Sequence, residues 1–157
     1  MKNFKIIPLV LIVLMCLPLL IPEVKSQPHD RNFGLGVVLG EPSGITGKQW
    51  LSQHNALSGT VAWSFRGRDK IHIHIDYLRH NFETITVERG SMAFFYGLGG
   101  RLLTGDKNQI GVRVPFGLSY FFPNDPLEIF LELAPILDLA PETEFTGNSG
   151  LGLRYYF

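Results

Sequence analysis

Apolar and polar side chains alternate over long stretches of this chain, and this alternation restricts its fold more than any other feature. In the last stretch, residues 149–157, one face carries leucines and aromatic residues up to Phe157, whereas the other carries glycines and Arg154. A period of two is that of a β-strand whose two faces meet different surroundings. Because the pattern recurs along the chain, we predict an all-β protein.

Seven similar stretches precede the last one, and turn sequences such as EPSG, TGDKN and PNDP separate them. After residue 26, no stretch with helical periodicity and capping residues stands out. The second stretch has the weakest alternation. The segment 141–148 is predicted as a loop, and the segment 80–90 either forms a longer connection or extends the neighbouring strands as a hairpin. The eight predicted strands are 33–40, 45–51, 57–65, 71–77, 92–102, 110–120, 127–137 and 149–157.

The polar faces of these strands indicate that the apolar faces point outward. A soluble barrel would carry many lysines on its outer face, but only three lysines follow residue 26. The polar faces instead mix small residues with charges of both signs, which suits a narrow lumen. Ten residues at about 3.3 Å each, tilted near 45°, also match the roughly 25 Å apolar band of a membrane barrel. We predict an eight-stranded antiparallel transmembrane up-and-down β-barrel, with aromatic girdles at both interfaces.

The same alternation predicts a polar network inside the barrel. An unpaired charge in such a narrow lumen would cost several kcal/mol, so each charged side chain needs a partner. Neighbouring strands lie about 4.8 Å apart, so arginines on strands six and eight can reach carboxylates on strand seven. The predicted network contains His72, His74, Asp76, Arg101, Arg113, Glu128, Glu132 and Arg154.

One part of this network resembles a metal site. His72, His74 and Asp76 lie on one face of one strand, with successive side chains about 6.6 Å apart, and such a group can hold zinc or copper. The sequence places no second ligand group beside them. Hydrogen bonding to Arg101 or Arg113 is therefore the favoured interpretation, and we predict neither a metal nor a cofactor.

Two further pairs could carry chemistry. Glu128 and Glu132 share a strand face, as glycosidase carboxylates could, but that reaction needs a cleft for sugar that an eight-stranded lumen does not provide. The only close serine–histidine pair, Ser52 and His54, falls in a predicted turn. We therefore predict no catalytic residues and no enzymatic activity.

Residues 1–26 have the composition of a secretory signal peptide. Two lysines precede an apolar run at residues 6–21, and Val24 and Ser26 occupy the −3 and −1 positions of a cleavage site. An uncleaved anchor is disfavoured because two prolines interrupt a run that is already short for a membrane span. We predict a signal peptide over 1–26 and a barrel over 27–157.

The predicted mature chain has no cysteine and little net charge. The only cysteine, Cys16, belongs to the signal peptide, so disulfides and thiol chemistry are not expected. Removing residues 1–26 leaves 11 basic against 13 acidic residues, because three of 14 and one of 14 are lost, and the formal charge is −2. No basic patch points to a nucleic-acid partner.

Six blocks that cover nearly all of the chain after residue 26 resemble a family of small bacterial outer-membrane barrels of unknown function, noted in spirochaetes. In architecture the chain is more distantly similar to OmpA- and OmpX-type barrels. The resemblance implies an outer-membrane barrel surrounded by lipid and no established activity. The blocks are GLGVVLGEPSGITGKQWLSQHNALSGTVAWSF, HIDYLRHNF, YGLGGRL, GVRVPFGLSYFF, IFLELAPIL and GLGLRYYF.

The C-terminal alternation of Leu153, Tyr155 and Phe157 resembles the targeting signature of bacterial outer-membrane proteins. In those families the barrel-assembly machinery reads this signature, so the resemblance implies the machinery as a partner during biogenesis.

These features predict a small integral outer-membrane protein with a filled lumen and with both termini facing the periplasm. Its expected role is structural or interactive and is not that of a porin, and a surface partner of unknown identity stays open. Two alternatives also stay open: an outer-membrane lipid-modifying enzyme, and a carrier of a small apolar ligand. The carrier would be a soluble barrel or would load through a lateral opening near Pro115, which interrupts a strand together with Pro135.

We expect deletion of Phe157, or the change Phe157→Lys, to lower the amount of protein assembled in the outer membrane, because the alternating aromatic C-terminus is the predicted assembly signal. The measurement is envelope fractionation with immunoblotting. Normal outer-membrane levels of both variants would disprove the assignment.

Overall fold

The computed structural model describes residues 31–63, 71–105 and 108–157. No helix in these ranges is long and apolar enough to cross a membrane. The predicted signal peptide, residues 1–26, lies outside the described residues, as does the end of the predicted third strand. The strands are β1 (Phe33–Glu41), β2 (Ser43–Trp50), β3 (Asn55–Trp63), β4 (Ile71–Asn81), β5 (Ser91–Thr104), β6 (Gln109–Arg113), β7 (Phe116–Phe121), β8 (Leu127–Ala140) and β9 (Glu144–Tyr156).

These strands form a closed barrel with eight wall positions. The short strands β6 and β7 both pair with β5 on one side and with β8 on the other, so they are two halves of one wall strand. Every other strand pairs antiparallel with its sequence neighbour, and β1 pairs with β9 to close the ring. The predicted eight-stranded antiparallel fold is confirmed. The second predicted strand, which had the weakest pattern, is present as β2.

The wall stays hydrogen-bonded where prolines interrupt it. Gly97 N donates to Pro115 O at 2.8 Å, and Val114 N donates to Pro135 O at 3.0 Å. The pairing register between β6 and β8 shifts between Ile110 and Gly111, and neither proline lies at this point. The register against β5 and β8 is the same on either side of Pro115, so the wall continues past this proline without a bulge.

The burial pattern is the reverse of that of a soluble domain. Large apolar side chains point outward and are exposed, as in Phe145 at 75% and Leu39 at 67%. Charged side chains point inward and are buried, as in Arg113 and Glu128 at 0%. A wall that is apolar outside and has no open edge is the arrangement that a lipid bilayer requires of a β-protein.

The two ends of the barrel differ in their connections. At the terminal end, where β1 begins and β9 ends, the strands are joined by 51–54, 82–90 and 122–126. At the opposite end, called the far end, residue 42 joins β1 to β2 and residues 141–143 join β8 to β9. The loop predicted over 141–148 is thus too long, because β8 and β9 keep pairing as far as Asp138 and Glu144.

Outward-facing aromatic residues gather at the terminal end. Their rings pack in pairs there: Tyr155 and Phe157 have centroids 5.1 Å apart, and Phe94 and Tyr96 have centroids 6.2 Å apart. Fewer aromatic residues face outward near the far end, and Trp63 and Phe145 are the described examples. The structure therefore places a well-populated aromatic girdle at one interface and a sparser one at the other.

We expect Leu131→Arg to lower the free energy of unfolding by about 2–4 kcal/mol in liposomes, since Leu131 faces outward near the middle of β8 and a cation there would meet hydrocarbon. Phe145→Arg, near the far end, is the matched control and should cost about 0–1 kcal/mol. Urea titration measures both. Equal, negligible effects would mean that water surrounds the wall.

Candidate functional site

The lumen is the candidate functional site, because most of the buried polar side chains of the described residues lie there. Since side chains alternate along each strand, every second residue enters this space. The contents form successive layers along the axis. An aromatic layer lies at the terminal end, and three ion-paired groups follow it toward the far end.

The aromatic layer, called here the aromatic plug, fills the lumen at the terminal end. Phe121 lies at its centre, with its ring centroid 5.9 Å from that of Trp50, 5.7 Å from that of Phe82 and 6.4 Å from that of Tyr156. Phe82 comes from the connection 82–90, which supplies one ring of the layer. Small buried side chains complete the packing, so apolar atoms close this end.

Glu128 is the centre of the first ion-paired group. Its carboxylate accepts hydrogen bonds from Lys48 Nζ, Ser119 Oγ and Tyr156 Oη, each at 2.6 Å, and from Arg154 Nη1 at 3.4 Å. Four donors satisfy a carboxylate that is fully removed from solvent. The pairing of Glu128 with Arg154 follows from register, because the two residues are direct partners across β8 and β9.

The two cations of this group also contact rings. Lys48 Nζ lies 4.7 Å from the ring centroid of Trp50 and 3.0 Å from His80 Nε2. Because an ammonium group only donates, His80 Nε2 must be the acceptor in that contact. Arg154 Cζ lies 3.7 Å from the centroid of Phe130, so the guanidinium stacks over an aromatic face. The group is thereby joined to the aromatic plug.

Arg113 is the centre of the second group. Its Nε lies 3.2 Å from Asp76 Oδ1, and its Nη2 donates to Glu132 Oε1 at 2.5 Å. His74 Nε2 lies 3.8 Å from the other oxygen of Asp76. One guanidinium therefore bridges carboxylates from two different strands, β4 and β8.

Two ion pairs reach across an intervening strand at a glycine. Asp76 and Arg113 flank Gly99 of β5 in register, and a Cβ on that glycine would lie 1.9 Å from Asp76 Oδ1. In the third group, Arg101 and Asp138 flank Gly111 in the same way, and Arg101 Nη2 donates to Asp138 Oδ2. The missing side chains leave the space through which these long residues meet.

The structure turns all eight residues of the predicted network inward. It brings Glu132 to Arg113 and Glu128 to Arg154, whereas Arg101 pairs with Asp138. The histidines His72 and His74 are buried on the same face of β4.

Sequence reasoning left two members out of the network. Lys48 lies on β2, whose weak alternation hid its orientation, and Asp138 follows Pro135 on β8, where the strand was predicted to end. Lys48 could have been identified from its spacing to Trp50, because residues two positions apart on a strand share a face and Trp50 is buried.

Charges balance within the described lumen. Four cations, Lys48, Arg101, Arg113 and Arg154, face four carboxylates, Asp76, Glu128, Glu132 and Asp138, and each makes at least one ion pair. The formal sum is zero when the histidines are neutral.

The potential metal ligands of the lumen already surround a cation. Ligand atoms of His74, Asp76 and Glu132 lie within 4.8 Å of one another. Arg113 contacts both carboxylates, so its guanidinium supplies the positive charge that a metal ion would bring. A metal would bind these three residues only if Arg113 moved away, and the geometry favours the ion-paired arrangement.

Between these groups lies a cavity of about 20 Å³, lined among others by His74, Arg113, Glu132, Asn148 and Arg154. Its volume suffices for a single water molecule. Buried nitrogens of Arg113, Arg154 and Asn148 have no hydrogen-bond partner among the described residues, so polar atoms line the space.

The serine–histidine pair lies where the sequence placed it, in the connection 51–54 at the terminal end. Ser52 Oγ accepts hydrogen bonds from the backbone nitrogens of Asn55 at 3.1 Å and His54 at 3.4 Å. The hydroxyl therefore stabilises the turn.

The residues of the expected assembly signal, Leu153, Tyr155 and Phe157, all face outward and are 42%, 43% and 65% exposed. Phe157 N also donates to Phe33 O at 2.9 Å, which joins the last residue to the start of β1. Recognition by the assembly machinery stays a prediction.

No family model and no curated protein matches the chain. Among solved structures, it is similar to the N-terminal β-barrel domain of OprF from Pseudomonas aeruginosa, with a TM-score of 0.61 and 15% identity, over 81% of this chain and 98% of that one. It is also similar to neisserial surface protein A, NspA, with a TM-score of 0.54 and 11% identity, over 80% and 94% of the two chains. At these identities the likeness concerns the fold. The chain has the architecture of the small eight-stranded outer-membrane barrels, as the sequence resemblance implied.

We expect Glu132→Ala to lower the free energy of unfolding by about 1.5–3 kcal/mol, because Arg113 loses one of its two carboxylate partners and keeps only Asp76. Arg113→Ala removes the same contact, so the double variant should lose less than the sum of the two single losses, with a coupling energy of about 0.5–3 kcal/mol. The control cycle combines Glu132→Ala with Arg101→Ala. Arg101 pairs with Asp138 and not with Glu132, so the two losses of free energy should be additive.

The measurement is urea unfolding in liposomes for the five single and double variants and the parent. Additive losses in the Glu132 and Arg113 cycle would contradict the ion pair.

Proposed function

We propose that this protein is a small integral outer-membrane barrel with a structural or interaction role and no solute-conducting pore. The observation that carries the proposal is the filled lumen. The aromatic plug closes the terminal end, and the three ion-paired groups occupy the space above it.

The size of the free space supports the absence of a pore. The cavity of about 20 Å³ among the lumen side chains has room for one water molecule, whereas a porin needs a continuous aqueous channel. Eight strands enclose an interior that side chains can fill, and sixteen or more are typical of porins.

The outer face supports placement in a membrane. Exposed leucine, isoleucine, valine and aromatic side chains cover the wall, and a surface of this kind would aggregate in water. Outer-membrane lipid is therefore the proposed surroundings, with the terminal end toward the periplasm and the barrel-assembly machinery as the partner in biogenesis.

The far-end connections that the structure describes in full are short. Outer-membrane barrels usually have short periplasmic turns and longer extracellular loops. Among the described residues, the longest connection is 82–90, at the terminal end. At the far end, residue 42 joins β1 to β2, and residues 141–143 join β8 to β9. Among the described residues, the wall and the connection 82–90 are therefore the proposed interaction surfaces.

The alternative functions have weaker support. Ser52 serves as a turn acceptor, which does not favour its use as a nucleophile. The wall beside Pro115 keeps its hydrogen bonds to Gly97 and Pro135, which does not favour a lateral opening for an apolar ligand. Mass spectrometry of lipid A with and without expression of the protein tests the lipid-modifying activity directly.

Envelope fractionation tests membrane placement. We expect the protein in the Sarkosyl-insoluble fraction, with a gel mobility that changes on boiling, because a closed barrel resists detergent. Recovery as free periplasmic protein would overturn the proposal.

We expect no stable conductance of porin size in planar-bilayer recordings of the folded protein, because the side chains of the described residues occupy the interior of an eight-stranded barrel. A general porin inserted under the same conditions is the positive control. Steady openings of about a nanosiemens would contradict the filled lumen.

A further inference from the structure

The outer wall carries a groove that the filled lumen does not explain. It has a volume of about 450 Å³ and crosses β2, β3 and β4, with Phe33 of β1 at one edge. Its lining is apolar apart from Gln49 and backbone atoms on the outer side. The outward-facing lining residues of this outer groove are Phe33, Ile45, Gly47, Gln49, Leu57, Gly59, Val61, Ile73 and Ile75, and the buried residues Lys48, Ser58, Thr60 and His74 also border it.

We propose that this outer groove binds one acyl chain of a phospholipid and that Arg79 binds the phosphate of the same lipid. The proposal rests on the membrane placement proposed above. It goes beyond general contact with lipid, because it assigns one site on one side of the wall.

Two glycines create the groove. Gly47 and Gly59 are direct partners across β2 and β3, and both face outward, so no side chain fills the wall at this point. The missing side chains leave a depression of about 450 Å³ at this point of the wall.

Backbone geometry does not require either glycine. A Cβ on Gly59 would have its nearest neighbour, His74 O, at 4.0 Å, and one on Gly47 would meet the Phe33 ring at 3.7 Å. Both distances are ordinary contacts, and neither residue has a positive φ. Glycine weakens a strand interior and often marks a place where a ligand approaches closely. The open space is thus the structural consequence of these residues.

The shape of the groove suits an acyl chain. From Ile45 to Gln49 it follows β2 over four residue steps, about 13 Å at 3.3 Å per residue. Its volume is within the range of about 300–1,000 Å³ found for small-molecule sites.

A cation lies beyond the terminal end of the groove. Arg79 is exposed on the outward face of β4 and pairs with Asn55 of β3. Leu57 and Tyr77 form the next outward-facing pair toward the groove. None of the ion pairs among the described residues involves Arg79. An apolar slot that leads to a free guanidinium near the interface complements a phospholipid, since arginine forms strong charge-assisted bonds with phosphate.

The test counts the lipids that remain on the barrel. The protein is reconstituted in vesicles of phosphatidylethanolamine and phosphatidylglycerol, extracted in mild detergent and measured by native mass spectrometry. We expect one retained phospholipid on the parent and its loss in Gly59→Leu and Gly47→Leu, in which a side chain occupies the groove.

The matched control is Gly147→Leu. Gly147 also faces outward, on β9 at another part of the wall, and its nearest neighbour to a Cβ is Ala134 O at 3.7 Å. This variant should keep the lipid. Arg79→Gln should weaken retention about fivefold, which corresponds to about 1 kcal/mol for one basic residue near a lipid surface. Heat-modifiable migration verifies that each variant is folded.

Three results would overturn the proposal. The first is unchanged retention in both groove variants, and the second is an equal loss in Gly147→Leu. The third is a dimer of the parent that Gly59→Leu abolishes, since the occupant would then be a second copy of the chain. A protein that fractionates with the outer membrane but retains no lipid contradicts the groove alone and leaves the proposed function standing.

Discussion

A charge that faces the lumen must find an opposite charge there, and the interior of this barrel is organised around that requirement. Glu128 has four donors, and Arg113 bridges two carboxylates. Such pairs compensate for the loss of water and need not add net stability. They allow polar residues to fill the interior, whereas apolar side chains cover the outer face of the wall. An unpaired charge in this interior would lower the free energy of unfolding, because no opposite charge would compensate for its loss of water.

Glycines have opposite roles on the two faces of the wall. Inside, Gly99 and Gly111 leave the space through which ion pairs cross from one strand to the next but one, and a Cβ at either would collide with a carboxylate. Outside, Gly47 and Gly59 have room for side chains and lack them, which makes the wall concave. Glycine therefore allows ion pairs to form inside the barrel and leaves a groove on its outer wall.

Part of the network could be predicted because adjacent strands constrain it. Arg154 and Glu128 are cross-strand partners, so a short hairpin suggests their pairing. Arg101 and Asp138 lie two strands apart, and their contact depends on the glycine between them and on the stagger of the strands. Lys48 was not foreseen, because the weak alternation of β2 hid its orientation and its partner Glu128 is 80 residues away in sequence. Pairing across the lumen depends on closure of the barrel.

The sequence by itself determined the strands, their number in the wall, and which face of each points inward, because a period of two distinguishes the apolar outer face from the polar lumen face. It also showed the inward orientation of all eight predicted network residues. Only the tertiary structure decided the partners of Arg101 and Lys48, the aromatic plug and the groove over Gly47 and Gly59. Each of these depends on the stagger between strands and on closure of the ring, which bring together residues that local periodicity does not relate.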